Sequence, residues 1–257
     1  MKKTSRWFVE VEPNTAAAVR LFCFPYAGGS SAAYYNWANI LPSKIEVLAI
    51  ELPGHGTRFD EIPMVDLLPI ISSLTADISN YVDKPFVFFG HSIGTIISFE
   101  LCRNLIKENL PLPYHFIASG GRAPHLPPRE KQIHALPDKE FILELKKYNE
   151  IPKTVPQNYN LITPFLPMLR ADFAISENFN FIEGEPIPIP ITVLGGTNDS
   201  LVTEEDIIAW KLHTRKNFNY KLFPGEHFFI KTSQKQVLET VAKTILEEDF
   251  HIRRKYV

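Results

Sequence analysis

The chain has 257 residues and a formal net charge of −2. It is 45% hydrophobic and 22% charged, the profile of an ordinary globular protein with one large core. A near-neutral balance, with its one basic cluster (Arg253, Arg254, Lys255) at the extreme C-terminus, argues against nucleic acid as a partner. Two cysteines exclude a disulfide framework, and the absence of C-x-x-C or H-E-x-x-H patterns gives no reason to expect a bound metal. Charged residues interrupt the N-terminus before any apolar leader forms, and no run approaches ~18 apolar residues. The expectation is a soluble, cytoplasmic, monomeric protein with no membrane association, forming a single domain over 1–257.

Short apolar runs alternate with helix-length segments. Predicted strands are Val19–Phe24, Val47–Ile50, Phe86–Phe89, Phe116–Ala118, Ile191–Leu194 and Tyr220–Phe223. Several are apolar throughout, as central parallel strands covered on both faces are. Between them lie predicted helices over Leu67–Tyr81, Ile93–Glu108, Glu204–His213 and Gln234–Glu248, the first and third preceded by the N-cap types Asp66 and Thr203. Cys23 and Cys102 fall in apolar surroundings and read as small buried hydrophobes. The alternation predicts an α/β fold, a mostly parallel central sheet flanked by helices.

Residues 124–190 break that rhythm, holding 11 of the 21 prolines. Asp138 is placed to cap a helix on which Phe141, Leu145 and Tyr148 share a face. "TPFLPMLRADF" (Thr163 to Phe173) reads as a proline-started helix. A helical insertion between two sheet strands, with prolines at its joints, is expected to form a lid over a site.

"GHSIG" (Gly90 to Gly94) carries the chemistry. By itself G-x-S-x-G is weak, since roughly one chain in ten of this length shows it by chance at average composition. Here it joins an apolar strand to a helix, the strand-turn-helix setting in which the serine is exposed at the tip of a sharp turn. Ser92 is therefore the candidate nucleophile. It needs a base, itself oriented by an acid, and in such sheets these follow the serine on loops after later strands. "GGTNDSL" supplies Asp199 and "PGEHFFI" supplies His227. The weaker candidates are Asp172, on the expected lid helix, and His55, which is placed to line the pocket. His91 is expected to point away from the catalytic face, and His213 reads as a surface histidine at a helix end. His115, His125, His134 and His251 lack a matching context. One oxyanion donor is expected at the backbone N–H of Ile93. The other is expected from the glycine-containing loop "FPYAGGSS" (Phe24 to Ser31).

"LFCFPYAGGS", "ELPGHGTRFDE", "GHSIG", "SGGRAP", "LRADF", "GGTND", "AWKLHT" and "FPGEHFF" occur in that order along nearly the whole chain. In this it resembles the type II thioesterases that serve nonribosomal peptide and polyketide synthases. The resemblance implies an α/β-hydrolase fold with a helical lid insertion, a Ser92–Asp199–His227 triad, and Ala27 as the second oxyanion donor. It implies no cofactor of the enzyme's own. The substrate would be an acyl group on the phosphopantetheine arm of a partner carrier domain, removed when stalled or mis-primed. The chain departs from the family's usual pattern at Glu226, Gly121 and Tyr26, which bears on acyl preference and on the surroundings of His227. An esterase or acyl-CoA thioesterase acting on free small molecules, an acyltransferase with the same triad, and a silent docking module remain alternatives on sequence alone.

Overall fold

The structure is a computed structural model. It describes residues 5–146 and 161–255, and it describes no side chains beyond residue 247. Seven strands form one sheet: β1 (Phe8–Glu10), β2 (Val19–Phe24), β3 (Ile45–Ile50), β4 (Phe86–His91), β5 (His115–Ser119), β6 (Ile191–Gly196) and β7 (Phe218–Phe223). Their spatial order is β1-β3-β2-β4-β5-β6-β7. β1 runs antiparallel to β3, and the other pairs are parallel.

The unbroken apolar runs follow from burial on both faces. On one face of the sheet Phe88 meets Phe22 and Phe24 edge-on. On the other, Phe89 packs against Trp37 and Tyr34. Each of these rings is fully buried, worth roughly 1.5–3 kcal/mol apiece. Substituting a polar residue at Phe88 or Phe89 would break this arrangement, because neither face of β4 meets water.

The helices are α1 (Tyr35–Ile40), α2 (Leu67–Ile78), α3 (Ile93–Lys107), α4 (Asp138–Leu145), α5 (Leu166–Glu177), α6 (Glu204–Ile208), α7 (Phe229–Thr232) and α8 (Gln234–Lys255). Thr203 caps α6 in a reciprocal capping box with Asp206. Asp66 sits at the N-cap of α2 but makes no capping bond. The expected Glu204–His213 helix is divided, tightening to a 3-10 turn over Ala209–His213. α8 continues to Lys255, so the basic cluster Arg253, Arg254 and Lys255 lies on its last turn.

The strand order reverses between β2 and β4. The connection after β2 leads to β3 on one side, and β4 lies on the other. Open α/β sheets bind ligands beyond the carboxyl ends of the strands at such a point. The segment between β5 and β6 carries α4 and α5. Asp138 does not cap α4. Pro137 holds the N-cap position, and the Asp138 carboxylate instead pairs with Arg170 of α5 at 2.7 Å. Arg170 also lies over the Phe141 ring, and Phe141 meets Phe173 edge-on. Tyr148, expected on the same face, lies outside the described residues. Earlier in the segment, Arg129 grips Asp206 of α6 through two bonds of 2.7 and 2.9 Å.

Candidate active site

The end of β4 turns directly into α3, and Ser92 makes the turn. Its backbone is at φ 56°, ψ −121°, a region that costs an L-residue of order 1–3 kcal/mol and persists only where the surroundings enforce it. The surroundings here are tight. A Cβ on Gly90 would sit 2.3 Å from the Gly94 carbonyl oxygen, and one on Gly94 would sit 2.2 Å from the carbonyl oxygen of Phe24. Only glycine permits that approach. The Ser92 N–H donates to the Ser119 carbonyl at 2.9 Å, tying the elbow to the end of β5. Ser92 is partly exposed, whereas the residues on either side of it are buried.

Asp199 and His227 come from loops beyond β6 and β7. Those loops are stapled by Asn198 N–H to the Gly225 carbonyl (2.9 Å) and Thr197 N–H to the Phe223 carbonyl (2.8 Å). His227 Nδ1 lies 2.9 Å from Asp199 Oδ2. The other carboxylate oxygen accepts from the N–H groups of Leu201 (2.9 Å) and Val202 (3.2 Å). Both oxygens are thus engaged, and the acid is fixed. A carboxylate facing Nδ1 places the proton there and leaves the lone pair on Nε2. The imidazole also lies against Gly120, its Cε1 3.5 Å from where a Cβ would be. Gly120 follows Ser119, to whose carbonyl Ser92 is bound, so the base stands beside the elbow.

His91 departs from expectation. Its ring does not turn away. It is fully buried, bonded through Nδ1 to the Ser119 hydroxyl at 3.0 Å, with its centroid 5.3 Å from that of His227. Burial, followed by the nearby charges of His227 and Lys231, holds its pKa well below the usual histidine value. A neutral neighbour does not oppose a positive charge on His227. The "H" of "GHS" was the available signal, but motif spacing says nothing about its rotamer.

After β2, the Gly29 N–H donates to the Tyr26 carbonyl at 2.8 Å, and Gly28 takes φ +74°. These are the marks of a turn whose third residue must be glycine. Ala27 is its second residue. Ile93 is the first residue of α3, so its N–H has no intrahelical acceptor and lies at the positive end of the helix.

Asp172 pairs with His55, whereas His227 pairs with Asp199. Asp172 is buried on α5, and one oxygen, Oδ2, accepts from the Gly28 N–H (2.7 Å) and lies 2.8 Å from His55 Nε2. His55, expected to line a pocket, is instead locked in this buried pair. His213, expected at the surface, is buried, with Nε2 2.6 Å from His125 Nδ1. Burial, then the charges of His125 and Arg103, lower its pKa to about 4. His115 is buried against Thr192, and His134 pairs with Glu177. The side chain of His251 is outside the description. Glu226 is exposed beside His227.

The family model for the thioesterase domain matches residues 19–245. The gramicidin S biosynthesis protein GrsT of Aneurinibacillus migulanus is 38% identical over 245 residues, covering 95% of this chain and 96% of that one. A protein named linear gramicidin dehydrogenase LgrE, from Brevibacillus parabrevis, is 39% identical over 252 residues, with the same shares covered. That name denotes redox chemistry, but the loop after β2 here reads "FPYAGGSS" and lacks the G-x-G-x-x-G of a dinucleotide site. Among solved structures, the type II thioesterase BorB from the borrelidin biosynthetic cluster superposes with a TM-score of 0.83. It is 29% identical, with 94% of this chain and 97% of that one covered. An elbow serine at the switch point of a seven-stranded sheet and a match spanning nearly the whole chain agree: the chain belongs to the thioesterase family, among the type II thioesterases of nonribosomal peptide and polyketide synthesis, and is a hydrolase of thioesters.

Proposed function

We propose that the chain clears acyl groups from the phosphopantetheine arm of synthase carrier domains by a serine mechanism. One observation carries the mechanism: the Asp199–His227 bond stands at the edge of the sheet where Ser92 is held in a strained elbow. Ser92 Oγ attacks the thioester carbonyl while His227 Nε2 takes its proton, and Asp199 fixes the imidazole tautomer. The N–H groups of Ile93 and Ala27 hold the oxyanion, where preorganised donors are worth most. The C–S bond then breaks. The leaving sulfur, from a thiol of pKa ~8.5, needs little assistance and takes the proton from His227, which frees Nε2 to act as a base again. Water, deprotonated by His227, attacks the acyl-serine, and the proton passes back to Ser92. The chemistry calls for no metal or redox cofactor.

The segment at about 124–190 is read as a lid over this site. It contributes α5, which packs on the turn holding Ala27 through Leu169 and Asp172. Support for a carrier-bound substrate comes from GrsT and BorB, which belong to gramicidin S and borrelidin biosynthesis. The test compares one acyl group on a carrier domain and on CoA. Chemistry at Ser92 is the same in both, so a higher kcat/KM for the carrier reports protein contacts, tenfold for each ~1.4 kcal/mol. Equal values would favour free acyl-CoA as the substrate, and acyl transfer to an added acceptor in place of hydrolysis would mark an acyltransferase.

A further inference from the structure

The oxyanion turn is soft by construction. Two consecutive glycines, Gly28 and Gly29, follow Ala27, and glycine has the widest conformational freedom of any residue. A donor on such a turn is preorganised only if something outside the turn holds it. Two groups on α5 do so. Leu169 closes over Gly28, its Cδ2 2.8 Å from where a Cβ would be, and Asp172 Oδ2 takes the Gly28 N–H at 2.7 Å.

The same oxygen faces His55 Nε2 at 2.8 Å, and His55 Nδ1 faces the Pro53 carbonyl at 3.0 Å. A carbonyl only accepts, as does a carboxylate, so both ring nitrogens are satisfied when both carry protons. The pair is then an imidazolium and a carboxylate, each side chain only 2% exposed. Burial lowers the His55 pKa, but the charge and hydrogen bond of Asp172, the Pro53 carbonyl and the charge of Glu51 together leave it raised. Glu51, just after β3, is also buried and accepts from the Ser31 N–H of the same loop at 2.7 Å, as well as from Thr57. Two buried carboxylates thus accept from N–H groups of the loop, Asp172 at Gly28 and Glu51 at Ser31, and the charges of both act on His55. The pair spans 117 positions of sequence and the Gly28 contact 144. It joins "LPGHGTR", "LRADF" and "FPYAGGS", motifs to which the triad gives no role.

We propose that Asp172, held by His55, is a positioning residue for hydrolysis, fixing the Gly28 peptide so that the adjacent Ala27 N–H is aimed at the developing oxyanion. This rests on Ala27 being an oxyanion donor. Because the carboxylate rides on α5, the donor is in place only while α5 is seated on the turn.

The test measures kcat, KM and the affinity of an alkylboronic acid, which forms a tetrahedral adduct on Ser92, for wild type, Ser92→Ala, Asp172→Ala, Asp172→Asn and His55→Ala. Both alanine variants should lower kcat on the order of 10- to 100-fold, less than or equal to the loss of a whole oxyanion donor, with KM changed little. Boronate affinity should fall by a similar factor. Asp172→Asn should lie between these and wild type, because its amide oxygen still accepts from Gly28 but no longer pairs with a charged His55. Should the alanine variants fail to fold, Asp172→Asn must still lose kcat and boronate affinity together. A loss confined to KM, an unchanged boronate affinity, or wild-type kcat in a folded variant would overturn the proposal. If Ser92→Ala is silent while the Asp172 and His55 variants turn over normally, the positioning role alone falls. If Ser92→Ala turns over normally, the site itself is misassigned.

Discussion

A backbone donor cannot be truncated to alanine, but Ala27 permits a direct deletion. It is the second residue of the Tyr26–Gly29 turn, closed by the 2.8 Å Gly29–Tyr26 bond, and proline is favoured at that position. Ala27→Pro therefore removes the N–H and leaves the turn type in place. Loss of one oxyanion donor costs about 2.7–4 kcal/mol of transition-state stabilisation, or about 10²–10³ in kcat. There is a structural cost to separate from this. Ala27 is buried, at 8% exposure, within the main apolar cluster, and overpacking costs ~1–3 kcal/mol of stability. Ala27→Gly, which keeps the N–H, is the control for backbone freedom. The assay is single-turnover hydrolysis of an acyl thioester, with thermal melting in parallel. A folded Ala27→Pro protein with kcat within threefold of wild type would refute the oxyanion assignment.

Other outcomes follow from the same geometry. Ser92→Ala should lower hydrolysis by about 10⁴ or more without lowering the melting temperature, since it removes one partly exposed atom; a reagent that acylates serine should label Ser92 and neither Ser30 nor Ser31, as peptide mapping would read. Asp199→Asn should cost more activity than Asp172→Asn, because asparagine at 199 stabilises the wrong His227 tautomer; the reverse ranking would move the acid to α5. His115 and His213 are both held neutral, each with a pKa lowered to about 4, by burial first and in His213 also by the charges of His125 and Arg103. The unfolded chain therefore binds their protons first, so their contribution is present above about pH 6.5 and is lost as pH falls toward 4. Denaturation midpoints for His115→Gln should show a shallower acid limb than wild type, and an unchanged slope would contradict this. His55 has the opposite sign: its raised pKa means that the ion pair with Asp172 stabilises at low pH and is lost as pH rises through the folded value.

The central strands were legible because each is covered on both faces, so the Phe86–Phe89 part of β4 shows as an uninterrupted apolar run and β2 as one broken only by Arg20, which is buried against Glu46. β1 was not, since three residues, Phe8–Glu10, carry no period, and α7, four residues long and beginning two after His227, makes barely one turn and shows no repeated apolar face. The triad candidates were legible because each follows a strand at the carboxyl edge. His91 was not, because its orientation depends on a hydroxyl 28 positions away. The Asp172–His55 pair was visible only as two unexplained motifs. Periodicity reads neighbours along one element, and this contact closes 117 residues of chain.

The central claim is that thioester cleavage runs through an acyl group on Ser92. Mixing the protein with an acyl-loaded carrier domain, quenching in acid within the first turnovers and mapping peptides by mass spectrometry tests it directly. An acyl increment is expected on the peptide containing Ser92, formed in wild type, lost in Ser92→Ala and strongly slowed in His227→Ala. Turnover of the carrier thioester with the increment on another residue, or undiminished turnover in Ser92→Ala, would contradict it.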